Sequence, residues 1–331
     1  MKEKDWYSYD TRWDLYAKDR EDFVAKFVVE GKFHEGVPED VIKSFETVSY
    51  LLAHSYYHWP MMDEAMTKLL LILEMVVKLK AQELEISLER KTKNNKIITR
   101  RLIEIIDDIF QNEYLLFLKP DFDRARNLRN MKMHPDRHSF MGAMGFTDSN
   151  ARLFVNIINL LFLETDKLKA LHSKIKSIEA TLQPFKSGLH ILEFQNKKIL
   201  IDGFHMFKYR EFNKNKLLMM YINPLTTKVH EQFLEHKYPE PLIITFTDFI
   251  INDNSIEGVD LNGKLMKIYS NEKEENLKVY QKYLFALSKI SEIEIGIFSS
   301  SNASKALWKI ERIIYENCWK DGSLINKESK N

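Results

Sequence analysis

The chain has 331 residues, 44% hydrophobic and 29% charged, with 49 Lys and Arg against 48 Asp and Glu and a formal net charge of +1. This length exceeds what one core usually serves and predicts two domains, and the near-neutral balance excludes wholesale nonspecific coating of nucleic acid, leaving a local basic patch as the only route to a polyanion. Cys318 is the only cysteine, which rules out an intramolecular disulfide framework and a cysteine-based zinc site and fits a reducing cytosol.

In chain order, residues 1–5 are charged with no apolar run behind them, so no signal peptide is expected. Pro38 opens a helix in which Val41, Ile42, Phe45, Val48, Leu51 and Leu52 recur at helical spacing until Trp59-Pro60. A second helix starts near Asp63, faces a core with Met66, Leu69, Leu70, Leu73, Val76 and Val77, and extends toward Leu88. Glu74 interrupts its greasiest run, as Asn156 and Asn159 interrupt the run at 153–163, and neither stretch reads as a membrane span. The link 89–96 leads to Arg100-Arg101 and a third helix over 97–110. It gathers six basic side chains, Arg90, Lys91, Lys93, Lys96, Arg100 and Arg101. The cluster reads as a solvated loop or as a contact for an RNA backbone.

Pro120 with Asp121 or Asp123 as cap starts a short helix over 124–133, and Pro135 ends it by disfavouring helical torsions at His134. After a Gly-bearing loop, 148–182 reads as one long helix, with Leu161, Leu168, Leu171, Ile175, Ile178 and Leu182 forming a seam for a helix of the same chain or of a second copy. Residues 184–188 break the pattern, so the expected domains are 1–183, a helical bundle, and 184–331, a smaller mixed α+β domain. Strands are expected at 189–194, 198–204, 217–222 and 242–249, a hairpin turn at Asn262-Gly263, helices at 271–290 and 302–319, and a strand at 293–298. A frayed tail follows from Lys320.

The chemistry concentrates at Arg129-Asn130, three residues, then His134. An arginine fork fits a phosphate bidentately and a histidine trades protons near neutral pH, which is what metal-free RNA cleavage requires. The stretch resembles the signature of HEPN domains, and the resemblance covers the first half of the chain. It implies a helical domain and a homodimeric, metal-independent endoribonuclease in which the ribose 2′-hydroxyl attacks phosphorus, leaving a cyclic phosphate and a 5′-hydroxyl. It further implies a cytoplasmic toxin or antiphage effector, RNA as the partner and no cofactor, with an antitoxin or regulatory partner beside it. His134 would be the acid or base, Arg129 the phosphate clamp, and Asn130 would fix Arg129 or the backbone. Residues five apart on a helix differ by about 140°, so Arg129 and His134 converge only if two copies pair about a two-fold axis.

Each residue also has a plainer reading. His134 could satisfy helix-terminal carbonyls, and Arg129 could pair with Asp107, Asp108 or Asp123. Glu74 and Lys78 form either a shell behind the motif helix or an i,i+4 surface pair. Arg126 and Lys132, as RNA contacts, and His138 are weaker candidates whose plainer reading is a solvated side chain, and Met131 and Met133 read as packing in the core or on a dimer face. In the second domain, Asp202-Gly203-Phe204-His205 and Asp248, Asp253, Glu257 and Asp260 invite a metal, but a calcium loop counted from Asp253 would need Glu where Lys264 stands. No metal is assigned. The competing function is a noncatalytic dimerisation or nucleotide-binding module working with a nucleotidyltransferase.

Overall fold

The computed structural model describes residues 6–133, 147–225 and 240–319. It is a mixed α+β chain that divides into two compact units. One runs to His172 and regains Trp319, and the other is Ser173–Cys318. The division falls inside a helix, whereas the composition changes only after Leu182.

The first unit is seeded by aromatics. Asp10 caps a 3-10 turn, Thr11–Leu15, and the indole N–H of Trp13 donates to the Ser55 carbonyl at 2.8 Å. Around that ring stand Trp59, Phe23 and Phe27 at centroid distances of 4.3, 4.5 and 5.0 Å. Helix α1 (Arg20–Phe27) is capped by Asp19, α2 (Glu39–His54) starts after Pro38, and α3 (Met61–Glu83) starts after Pro60. Its broad run of buried Met, Leu, Ile, Val and Ala makes α3 the central helix, packed by α2 and by three helices that follow, α4 (Leu102–Ile109), α5 (Lys119–Met133) and α6 (Thr147–Leu161).

The basic link is a two-stranded ribbon, β1 (Glu89–Lys91) against β2 (Ile97–Thr99), with Lys91 opposite Ile97. The expected third helix therefore begins five residues late, because Ile97, Ile98 and Thr99 are β-branched and pair back on β1. Helix α5 begins earlier than expected because a 3-10 segment, Glu113–Leu118, runs directly into it. Pro120 is tolerated in its first turn, where the missing N–H has no helical acceptor anyway.

The single long helix expected over 148–182 is two, α6 and α7 (Thr165–Leu182), parted at residues 162–164. Phe162 and Leu163 tuck inward there, and Glu164 accepts from the Leu168 N–H at 3.0 Å to open α7. Leu168, Leu171, Ile178 and Leu182 are all buried within one chain.

The second unit carries two antiparallel sheets. One has the order β4-β3-β10-β9-β8, built from β3 (Leu189–Phe194), β4 (Lys197–Asp202), β8 (Asp248–Ile251), β9 (Ser255–Val259) and β10 (Leu265–Ser270). The other has the order β5-β6-β7, from β5 (Met206–Phe212), β6 (Asn215–Ile222) and β7 (Leu242–Phe246). Strand β5 has no counterpart among the sequence expectations, and the strand expected over 242–249 is divided at Thr247 between the two sheets.

Gln195 and Asn196 take positive φ in the β3–β4 turn and Gly263 takes φ +74° in the β9–β10 turn. The sheets join at two corners. Strand β7 passes into β8 through Thr247, and an isolated bridge pairs Ile201 of β4 with Pro224 beyond β6. The solvent face of the larger sheet carries a cross-strand row of alternating charge, Lys198, Glu193, Lys267 and Glu257.

Two helices complete the unit, α8 (Glu274–Leu287) and α9 (Glu292–Asn317), the latter packing on β5, β6 and β7. The strand expected at 293–298 is thus the first turns of a helix. The Ile-Glu-Ile alternation imitates a strand, but Ser291 and Glu294 form a capping pair, the Ser291 hydroxyl accepting from the Glu294 N–H at 3.2 Å.

Candidate functional site

Helix α5 buries Phe122 and Ala125, and Arg129 lies four residues beyond Ala125 on the same stripe, so its guanidinium is directed at α3 rather than at open solvent. There Arg129 Nη2 donates to Glu74 Oε2 at 3.0 Å, and Lys78 Nζ donates to Glu74 Oε1 at 2.8 Å. Glu74 is thus the i,i+4 partner of Lys78 and at the same time an ion-pair partner of Arg129. The Lys78 ammonium, seconded by Arg129, holds the Glu74 carboxyl below the ordinary carboxylate range. One carboxylate between two cations leaves the trio with a net positive charge.

The aspartates weighed as partners of Arg129 are engaged elsewhere. Asp107 pairs with Lys119 at 2.9 Å, Asp108 with Arg100 at 2.6 Å, and Asp123 with Lys119 at 3.3 Å. Arg126, one turn before Arg129, reaches Asp123 only at 3.9 Å. The Nε atoms of Arg126 and Arg129 are both buried without a hydrogen-bond acceptor. Both Nε atoms are enclosed by the fold, so the guanidinium edge that Arg129 can still offer to a ligand is its Nη atoms.

Asn130 is exposed. His134 and His138 lie outside the described residues, as do the side chains of Met131, Lys132 and Met133.

The basic cluster divides by role. Arg100 is structural, because it is largely buried and donates to Asp108 and to the carbonyls of Ser87 and Glu104 at 2.6, 3.0 and 3.1 Å. Arg101 is exposed and pairs with Glu104 at 3.0 Å, a carboxylate that also faces Arg90 at 3.4 Å. Lys91, Lys93 and Lys96 stand exposed along the ribbon with no ion-pair partner among the described residues.

In the second unit three of the residues that invited a metal reading, Asp202, His205 and Asp260, have protein partners. Asp202 accepts from the Tyr280 hydroxyl at 2.8 Å and His205 Nε2 accepts from Asn223 Nδ2 at 3.0 Å. Asp260 holds its own turn by accepting from the backbone N–H groups of Asn262 and Lys264, each at 2.8 Å. Sequence reasoning gave no sign of Asn223 or Tyr280, which come from distant elements.

No protein-family model matches this chain, and no curated protein or solved structure is similar to it. No helix among the described residues is long and apolar enough to cross a membrane.

Proposed function

We propose that the chain is a metal-independent endoribonuclease of HEPN type, acting in the cytoplasm as a homodimer, with Arg129 binding the scissile phosphate and His134 moving the proton. The observation that carries this reading is the partly exposed Arg129 guanidinium on α5, held through one Nη by Glu74 at 3.0 Å and standing five residues before the motif histidine in sequence. Glu74 is then a positioning residue. It fixes the Arg129 fork by one arm, leaves the other donors for phosphate oxygens, and costs little electrostatically because Lys78 offsets its charge. The exposed lysines of the β1–β2 ribbon, Lys91, Lys93 and Lys96, extend the positive surface along the RNA backbone. A second copy supplies the converging Arg and His that one helix cannot.

The test is cleavage of total RNA in EDTA by the full-length protein and by Arg129→Ala and His134→Ala. The wild type is expected to give fragments ending in cyclic phosphate and 5′-hydroxyl, with each variant slowed by roughly 100-fold or more. Equal rates in wild type and both variants would remove the assignment, and cleavage that stops in EDTA would point to a metal enzyme.

A further inference from the structure

The inner faces of the two sheets in the second unit leave a cleft of about 300 Å³. Its apolar walls are Leu192, Phe194 and Ile199 from β3 and β4, Ile244 from β7, Met266 from β10 and Ile313 from α9. Leu192, Ile244 and Met266 are almost wholly buried. The cleft is half open to solvent, and its volume is about twice the ~150 Å³ apolar cavity that suffices for benzene, so it has room for a small apolar body.

Its polar lining is Lys197, Asp260, Asn262 and the buried Thr245. Asp260 is committed to its turn by the backbone N–H groups of Asn262 and Lys264. Lys197 is exposed and has no carboxylate partner among the described residues. Its neighbour Lys198 points to the other side of the sheet, where it pairs with Glu193 at 3.4 Å. One unused ammonium therefore lines an apolar cleft, and with Asp260 also in the lining the site has no surplus of positive charge to offset the desolvation of a dianion such as a phosphate monoester.

From this geometry we infer that the cleft takes a monocarboxylate with an apolar tail, a medium-chain fatty acid, its tail between the sheets and its carboxylate on Lys197 Nζ. Burial of the tail supplies the affinity and the ammonium selects the anion over the neutral alcohol. The inference goes beyond the nuclease proposal and does not rest on it, because binding is read without any RNA.

The experiment is calorimetric titration of the full-length protein with decanoate, with 1-decanol as the uncharged control. Saturable one-to-one binding of decanoate is expected, weakened about tenfold in Lys197→Glu by charge reversal at an exposed site, with decanol binding left unchanged by that substitution. Ile244→Trp, which fills the cleft, should remove both. Lys197→Glu alters only a surface side chain, so it decides the matter even if Ile244→Trp fails to fold. Absence of saturable decanoate binding, or equal affinity in wild type and Lys197→Glu, overturns the inference.

Discussion

His34 illustrates how fully neighbours can fix one side chain. Its Nε2 lies 2.8 Å from the Asn159 carbonyl and its Nδ1 accepts from the Gly36 N–H at 3.0 Å, so the ring is neutral with the proton on Nε2. Burial pushes its pKa below the ordinary 6.5. Between that depressed value and 6.5 the unfolded chain binds more protons than the folded one, so stability falls as pH drops through this window and is flat in this respect above it. A His34→Gln variant should lose this part of the slope, as read from urea midpoints between pH 5 and 8. The same scale separates what was legible at Arg129. Its candidacy follows from spacing within one helix, but its partner, Glu74, is 55 residues away and wins over Asp107, Asp108 and Asp123 because the stripe of α5 that buries Phe122 and Ala125 aims the guanidinium at α3.

Elements were readable where one periodicity dominated. Helices α2 and α3 and strands β3 and β6 follow apolar spacings that admit one reading, and Asn262-Gly263 turns as its composition demands. Misreadings arose where local signals competed. Ile293 and Ile295 alternate like a strand, yet Ser291 caps a helix; the run over 148–182 stays helical in pattern across a break that only the inward packing of Phe162 and Leu163 creates. The β1–β2 ribbon is the functional case, since its pairing holds Lys91, Lys93 and Lys96 outward while Arg100 is drawn into the fold. Replacing the three lysines by Gln should leave the thermal midpoint nearly unchanged, weaken binding of single-stranded RNA, and reduce the salt dependence of log K by up to about 2, at roughly 0.7 per phosphate contact. An unchanged salt slope would assign the RNA contact to another surface.

At the scale of the whole molecule, each unit closes around its own core, and the second depends on a corner that tolerates no side chain. A Cβ on Gly258 would sit 2.1 Å from the Asp248 carbonyl oxygen and 2.9 Å from Cδ1 of the buried Phe246 ring, where β9 pairs with the start of β8. Gly258→Ala should therefore cost about 3 kcal/mol through forced displacement of backbone, measured by denaturant unfolding, and should abolish decanoate binding along with the sheet corner. The sequence by itself determined the mixed α+β class, the helices α2 and α3, the strands β3 and β6 and the arginines ahead of His134, because apolar period and turn chemistry are local properties. Only the tertiary structure decided that Glu74 clasps Arg129, that Arg100 is spent inside the fold, and that Lys197 guards an apolar cleft. Those are distances between residues far apart in the chain, and packing alone sets them.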